Sequence, residues 1–394
     1  MQNTDPVVIV GLARTAMGAL QGELAGFSAS DLGAAAIAEA VRRAGITSAD
    51  IDEVIMGCVL PAGQGQAPAR QAALRAGCPE STPATTVNKM CGSGMKAVMM
   101  ACDALISGAA GIVVAGGMES MTNAPYLLEK ARVGYRMGHG RLIDHMFMDG
   151  LEDAYDKGKL MGCFADDTAK KLGITREDQD KFALASLERS LRAQREGDFS
   201  AEIAPLKIKS KDGEKTIAED ESPKKARPDK IPTLKPAFGA DGTVTAANAS
   251  SISDGAAALV LMRKSTAESR GLKIVAMIRS YASHAQKPAE FTIAPLGALQ
   301  KAQDLAGWAA KDVDLFEINE AFAVVTLAAM RGLNLPHEKV NVNGGACALG
   351  HPIGASGARI LVTLVHALQK RGLARGAAAL CIGGGEATAM MVEL

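Results

Sequence analysis

Residues 87–97 read VNKMCGSGMKA, and after a helix-length apolar run the chain continues as IVVAGGME over residues 112–119. The same order recurs in the second half of the chain. Residues 342–343 read VN, residues 354–359 read GASGAR and, after another helix-length run, residues 380–386 read LCIGGGE. This internal similarity predicts that one structural unit occurs twice in the chain.

The similarity extends upstream of both stretches. Residues 40–54 and 302–316 match, and the spacing from Ala44 to Asp52 equals that from Ala306 to Asp314. This alignment places Gly57 opposite Asn319. Two similar units packed about a pseudo-twofold axis would bring their equivalent loops together. The residues that we expect to converge in this way are Cys91, Asn319, His351 and Cys381.

The composition indicates a globular α/β protein. Hydrophobic residues make up 48% of the 394 residues and aromatic residues only 4%, which favours closely packed helices on a largely parallel sheet. With 43 basic and 43 acidic residues, the formal charge is zero and gives no global attraction for nucleic acid. The apolar runs are too short for membrane helices and no leader precedes the first strand, so we expect a cytoplasmic protein without membrane partners.

Periodicity and turn residues divide the chain into strands and helices. The predicted strands are Val7–Val10, Val54–Val59, Ile112–Ala115, Leu259–Met262, Ile274–Ser280, Val340–Asn343 and Ala377–Ile382. The predicted helices are Ser30–Ala44, Gly94–Ser107, Thr175–Glu196, Leu296–Ala306 and Ala355–Arg371. Residues 120–247 are richer in charge and poorer in strand signal, which indicates an insertion between two sheet units.

Seven cysteines without a Cys-x-x-Cys pair argue against a disulfide framework and against a structural zinc site, so no metal is expected. Cys91 is the best candidate for a reactive thiol, because it precedes Gly92-Ser93-Gly94 at a predicted helix start. Unpaired backbone N–H groups and the helix dipole are expected to lower the pKa of its thiol. Such a thiolate could act as a nucleophile.

Three further residues have the chemistry to assist a nucleophile. His351 lies between Gly350 and Pro352, in the residues that distinguish the second copy from the first. This position favours an imidazole in a fixed orientation over a mobile histidine on the surface. Cys381 ends a predicted strand before three glycines, where a base could lie beside exposed backbone N–H groups. Asn319 supplies an amide that could hold a water or a carbonyl oxygen.

Taken together, these motifs resemble the thiolase family, and the similarity covers nearly the whole chain. The motifs are Asn88–Gly94, Gly116–Met121, Asn248–Ser250, Asn319–Phe322, Gly344–Ala346, Gly350–Gly354 and Cys381–Gly385. The resemblance implies a duplicated fold, a five-layer α-β-α-β-α sandwich with an inserted loop domain. The implied division is residues 1–119 and 248–272 for the first half, 120–247 for the insertion and 273–394 for the second half.

The resemblance also implies a mechanism. Cys91 would become S-acetylated, His351 would take its proton, and His351 with a water on Asn319 would hold the thioester oxygen. Cys381 would remove the α-proton of a second acetyl-CoA, and the amides of Cys91 and Gly383 would form a second oxyanion hole. No cofactor is implied, because coenzyme A is a substrate or product.

Substrate contacts follow from the same resemblance. The residues expected along the CoA and acyl path are Ser250, Phe291, Phe322, Met161, Lys224 and Arg227. The basic residues at 224–227 are equally well explained as a solvated turn. Leu160, Cys347 and Glu386 depart from the common family pattern and leave the acyl-chain preference open.

The resemblance is closest to the acetyl-CoA acetyltransferases, and a homotetramer is expected. The nearest alternative is a broader-range 3-ketoacyl-CoA thiolase of fatty-acid or aromatic degradation. A ketoacyl synthase is disfavoured by Asn319 and Cys381, and a non-catalytic CoA-binding relative by the presence of all four reactive residues.

Overall fold

A computed structural model describes residues 5–210 and 213–394. Its strands are β1 (Val7–Thr15), β2 (Gly18–Ala19), β3 (Glu53–Gly57), β4 (Ala84–Val87), β5 (Ile112–Ser120), β6 (Tyr126–Leu128), β7 (Leu142–Asp144), β8 (Ile203–Ala204), β9 (Leu206–Ser210), β10 (Gly213–Ile217), β11 (Ser253–Arg263), β12 (Ala276–Ala285), β13 (Leu315–Ile318), β14 (Arg375–Ile382) and β15 (Glu386–Glu393). Its helices are α1 (Ala29–Ala44), α2 (Pro68–Arg75), α3 (Ser93–Ser107), α4 (Met161–Leu172), α5 (Arg176–Arg195), α6 (Ser222–Lys225), α7 (Lys264–Ser269), α8 (Ala294–Ala306), α9 (Ala323–Leu333), α10 (Ala346–Leu349) and α11 (Ser356–Arg371).

The main sheet joins the two halves of the chain. Its strands run in the order β13-β14-β15-β12-β1-β11-β5-β3-β4. The halves meet where β1 pairs antiparallel with β12, with Val8 opposite Met277. β3 pairs in parallel with β4 and β5 in the first half, and β13 pairs in parallel with β14 in the second.

Side chains of successive residues divide the core into layers, because they point to opposite faces of a strand. In β1, Val8 belongs to the core under α1 and α2, whereas Ile9 belongs to the core shared by α3 and α11. In β14, Ala378 faces that same central core and Ala379 faces the core under α8. The layers are therefore α1/α2, first half-sheet, α3/α11, second half-sheet and α8, which confirms the predicted five-layer sandwich.

The two central helices meet at their first turns, and glycine makes the close approach possible. A Cβ atom on Gly94 would lie 2.9 Å from the Ala358 nitrogen, and one on Gly357 would lie 2.4 Å from the Met95 nitrogen. Both helix starts therefore lie beside the pseudo-twofold axis, where the duplication predicts that the reactive residues converge.

The predicted strand Val340–Asn343 is wrong. Val340 makes only an isolated bridge to Phe316, and Asn341 adopts a left-handed φ of 49°. The Asn341 side chain instead bonds to the end of β13, accepting from the Ile318 N–H and donating to the Ile318 carbonyl, both at 2.8 Å. A side-chain amide thus takes the place of a neighbouring strand.

The residues between β5 and β11 form a hairpin of β6 and β7, the helices α4 to α6 and short strands. Helix α5 begins at a capping box in which Thr175 and Asp178 bond reciprocally, as its sequence predicts. Within the described residues, no helix has the length and apolar character that crossing a membrane requires.

Candidate active site

The nucleophile candidate Cys91 lies in a tight turn between β4 and α3. Met90 has a φ of 47°, a conformation that non-glycine residues seldom adopt, and Ser93 holds the turn. The Ser93 hydroxyl donates to the Met90 carbonyl at 2.6 Å and accepts from the Lys89 N–H at 2.8 Å. The thiol is therefore presented by a constrained backbone.

The electrostatic prediction for Cys91 is wrong in sign. Burial raises the pKa of the Cys91 thiol to about 11, and the N–H groups of Gly383 and of Cys91 itself offset only part of that rise. Loss of water around the sulfur outweighs the helix dipole. Cys91 is therefore a neutral thiol at rest and needs a base in order to react.

His351 is held so that one ring nitrogen can serve as that base. Its Nδ1 lies 2.5 Å from the Ser356 Oγ, and the single proton of that hydroxyl points to the Pro352 carbonyl at 2.9 Å. Ser356 must then accept from Nδ1–H, which leaves Nε2 unprotonated. Burial lowers the pKa of His351 to about 3, so the ring is neutral at physiological pH.

Cys381 is buried at the end of β14, next to the turn of Gly383, Gly384 and Gly385. Burial, followed by the nearby Cys91 sulfur, raises the pKa of the Cys381 thiol well above its ordinary value. The Cys91 sulfur is thus close enough to disfavour a charge on the Cys381 sulfur. Gly384 and Gly385 have φ values of 92° and 88°, which only glycine adopts readily.

Asn319 follows β13 and lies beside His351. Its Nδ2 is 3.5 Å from the His351 Nδ1, but both nitrogens carry protons in the tautomer set by Ser356, so neither can accept from the other. The Asn319 backbone N–H donates to the Ala379 carbonyl at 2.9 Å. Among the described residues, the buried Asn319 Oδ1 has no hydrogen-bond partner. The amide is therefore placed near the imidazole without a strong direct bond to it.

A narrow cavity of about 60 Å³ brings most of the predicted site residues together. Those that line it are Cys91, His351, Cys381, Gly383, Ser250, Phe291, Phe322 and Met161. The sequence did not single out five others on its wall, namely Met90, Gly150, Leu151, Ala321 and Ile353. The cavity draws its groups from both halves and from the insertion.

Aromatic packing makes one wall of the cavity stiff. Phe291 packs edge-on against Phe164 with ring centroids 6.2 Å apart, and Phe322 packs edge-on against Phe238 at 6.0 Å. Ser250 is fixed next to them, because its N–H donates to the Ala321 carbonyl at 2.9 Å. These contacts limit the size of any group that reaches the thiols.

Comparison with known proteins agrees with this geometry. Residues 7–265 match the family model of the thiolase N-terminal domain, and residues 272–394 match that of the thiolase C-terminal domain. The chain belongs to the thiolase family. The predicted family is therefore confirmed.

Individual relatives match this thiolase over almost its whole length. It is 52% identical over 388 residues to the acetyl-CoA acetyltransferase of Escherichia coli K12, covering 98% of both chains. It is 51% identical over 393 residues to a probable acetyl-CoA acetyltransferase of Dictyostelium discoideum, covering 100% of this chain and 95% of the relative. The crystal structure of the Bacillus anthracis acetyl-CoA acetyltransferase matches with a TM-score of 0.96 at 40% identity, covering 99% and 98% of the two chains.

The two predicted basic contacts of the thiolase lie in different places. Arg227 lines a groove with Ser251 and Cys347, and Ser251 is adjacent in sequence to the cavity residue Ser250. Lys224 lines a separate cleft and forms an ion pair with Glu219. The groove therefore contains Arg227 but not Lys224.

Two buried residues that support the site escaped the sequence analysis. Ser356 orients His351, although a serine at a helix start is ordinarily interpreted as a cap. Glu119, at the end of β5, accepts from the N–H groups of Val59, Leu60 and Gly354 at 2.9, 3.1 and 2.8 Å. The duplication carried a signal for both, because Ser356 aligns with Ser93 and Glu119 with Glu386.

Proposed function

We propose that this thiolase is an acetyl-CoA C-acetyltransferase, which condenses two acetyl-CoA molecules to acetoacetyl-CoA and CoA and runs the reverse thiolysis. The observation that carries the proposal is the single cavity lined by Cys91, His351, Cys381 and Gly383. The names of the full-length relatives support the same reaction. Coenzyme A is a substrate and product here, and the proposal involves no cofactor or metal.

In the first half-reaction, the neutral His351 Nε2 takes the Cys91 proton as the sulfur attacks the acetyl thioester carbonyl. The C–S bond to CoA then breaks, and the leaving CoA thiolate takes a proton from Cys381. The enzyme now holds S-acetyl-Cys91, a Cys381 thiolate and a His351 imidazolium. A buried thiol with a raised pKa gives up its proton only to a strong base such as a newly formed thiolate.

In the second half-reaction, the Cys381 thiolate takes an α-proton from a second acetyl-CoA. The His351 imidazolium and a water on Asn319 would stabilise the enolate oxygen. The enolate carbon attacks the acetyl group, and the N–H groups of Cys91 and Gly383 would hold the developing oxyanion, worth on the order of 3 kcal/mol per donor. The C–S bond to Cys91 breaks, and its sulfur recovers the proton from His351.

The walls of the cavity support a preference for short acyl groups. Phe291 and Phe322 are buried and braced by other aromatic rings, so a longer acyl chain would have to displace packed side chains. The groove at Arg227 begins next to Ser250 and offers a cation to the anionic nucleotide end of CoA. The ion-paired Lys224 is the weaker candidate for that contact.

The assembly that we propose is a homotetramer. The hairpin of β6 and β7 exposes Val133 to 83% and Met137 to 96% of their full accessible area, together with Tyr126 and Leu142. These apolar side chains alternate with exposed basic residues such as Arg132 and Arg136, and large apolar groups exposed together on one hairpin support an association surface. Among the methionines in and near the insertion, Met137 and Met148 are exposed, whereas Met118, Met121 and Met146 are buried in the subunit.

The deciding experiment is a steady-state comparison of acetoacetyl-CoA with 3-ketoacyl-CoA esters of six and more carbons, in the presence of CoA. Loss of the enolate absorbance measures cleavage, and Cys91→Ala provides the background. The proposal predicts the highest kcat/KM for acetoacetyl-CoA. Equal efficiency on the longer esters would assign the broader-range 3-ketoacyl-CoA thiolase instead, and absence of cleavage of any ester would refute both.

A further inference from the structure

We propose that the ion pair between Lys89 and Glu386 is a positioning device, which holds the nucleophile turn of one half against the glycine turn of the other. This inference rests on the proposed function, because it assigns the pair a part in placing the Gly383 amide next to Cys91. Lys89 and Glu386 are positioning residues and do not line the cavity.

The pair bridges two segments that are far apart in the chain. The Lys89 ammonium contacts a Glu386 carboxylate oxygen, and the side chains keep 23% and 37% of their accessible area. Lys89 precedes Cys91 by two residues, and Glu386 follows Gly383 by three. Each member of the pair is thus connected to a reacting or stabilising group by a short piece of constrained backbone.

Beneath the ion pair, the nucleophile turn packs directly against the end of β14, which leads into the glycine turn. A Cβ atom on Gly92 would lie 2.3 Å from the Ile382 Cδ1, so the two turns are in direct contact. Ile382 pairs with Glu386 across the hairpin of β14 and β15. On the far side, a Cβ atom on Gly385 would lie 2.5 Å from the Gln286 carbonyl oxygen. The glycine turn is thus held next to the nucleophile turn on one side and against the Gln286 backbone on the other, and the ion pair adds a third attachment.

The first half contains an equivalent contact in the opposite direction. Glu119 aligns with Glu386, and it reaches across to accept from the Gly354 N–H in the loop that carries His351. Each half therefore uses the glutamate that follows its run of glycines to hold the helix-start loop of the other half, although the glycines before Glu119 lie within strand β5 and do not form a turn. Glu119 is fully buried and uses backbone donors, whereas Glu386 is partly exposed and uses the Lys89 ammonium.

The expected role concerns the Gly383 amide in particular. Gly383 and Cys91 line the same cavity, and the Gly383 N–H favours the charged form of the Cys91 sulfur, which lowers the pKa of the thiol from the value that burial alone would give. Without the ion pair, the glycine turn can move away from the sulfur. A loss of about ten-fold in kcat is expected, since a misplacement of about 1 Å can cost a hundred-fold.

The test compares Glu386→Gln, Lys89→Met and the charge-exchanged double variant Lys89→Glu/Glu386→Lys with the wild type. Arg270→Met is the matched control, because it removes another partly exposed ion pair, with Asp50 at 2.9 Å, whose residues do not line the cavity. The readouts are kcat and KM for acetoacetyl-CoA, the rate of Cys91 alkylation by iodoacetamide at pH 8, and thermal unfolding.

Both single variants should lower kcat about ten-fold, leave KM within about two-fold and slow alkylation several-fold. The charge-exchanged variant should recover most of both losses, and Arg270→Met should change neither. Unchanged alkylation and kcat in Glu386→Gln, or no recovery in the exchanged pair, would overturn the proposal. Alkylation needs no acetyl-CoA, so it decides this inference even if the wild type cleaves no acetoacetyl-CoA, a result that would contradict only the proposed function.

Discussion

The His351 Nδ1 and the Ser356 Oγ are 2.5 Å apart, and the serine hydroxyl donates its own hydrogen bond to the Pro352 carbonyl. This arrangement leaves the serine oxygen as an acceptor for Nδ1–H, and the other ring nitrogen as the base. The tautomer of His351 is thus set by a residue at the start of α11, five positions along the chain.

Ser356→Ala should lower kcat by about 3- to 10-fold with little change in KM, because a net hydrogen bond of about 1 kcal/mol no longer favours the productive tautomer. Steady-state kinetics with acetoacetyl-CoA measure the effect. Ser190→Ala is the matched control, since it removes another fully buried hydroxyl, bonded at 3.3 Å to the Asn343 carbonyl. An equal loss of kcat in both variants would show a general effect of packing.

Alkylation of Cys91 should respond to pH as a thiol with a raised pKa. Only the thiolate reacts, so with a pKa of about 11 the rate should rise about ten-fold per pH unit from pH 7 to pH 10. Iodoacetamide labelling followed by peptide mass spectrometry measures it, with Cys91→Ala as background. A rate that levels off near the ordinary pKa of about 8.5 would contradict the burial argument.

Cys381→Ser should separate the two half-reactions. A serine hydroxyl is a far weaker base than a thiolate, so condensation should fall by at least about 100-fold while label exchange between CoA and acetyl-CoA persists. Cys78→Ser, which changes a buried cysteine away from the cavity, should affect neither rate. Loss of exchange and condensation to the same extent would show that the proton which Cys381 gives to the leaving CoA limits the first half-reaction, or that Cys381 acts only in packing.

Phe291→Ala should raise activity on a six-carbon 3-ketoacyl-CoA relative to acetoacetyl-CoA by about ten-fold, because it removes an overpacking cost of roughly 1–3 kcal/mol. The ratio of the two kcat/KM values is the readout. Phe182→Ala is the control: both rings are exposed to only 3%, but Phe182 packs against His337 and lies outside the cavity. A wild-type enzyme that already cleaves both esters equally would refute the short-chain preference.

Val133→Glu/Met137→Glu should convert the proposed tetramer into a smaller species, because two charges would be buried at the hairpin tips. Light scattering at micromolar concentration measures the mass. Leu305→Glu, on another exposed apolar residue, should leave the mass unchanged. A monomeric wild type would refute the proposed assembly.

The duplicated motifs made much of the fold predictable. The equal spacing of the copies predicted that the two halves fold alike, and periodicity located the start of the predicted helix Ser30–Ala44 to within one residue of α1. The strand error at Val340–Asn343 has a local cause, because an Asn341 side chain can imitate a strand neighbour and periodicity does not register it. Strand β15 was missed, because the three glycines before it were interpreted as the end of the last strand.

The sequence predicted which residues form the site better than it predicted their protonation states. The helix start near Cys91 is visible in the sequence, but the groups that exclude water from its sulfur come from Phe291, Ile353 and other distant segments. Likewise, Lys224 is a weaker candidate than Arg227 for a CoA contact because it pairs with Glu219. Only the folded chain reveals this ion pair.

The place of β15 in the sheet sets an order of assembly. Ribosomes make this strand after every other strand of the sheet, yet it lies between β14 and β12 rather than at an edge. The turn that leads into it carries Gly383. A nascent chain that has already produced Cys91 and His351 therefore lacks the fixed Gly383 donor until this strand has left the exit tunnel and closed the sheet.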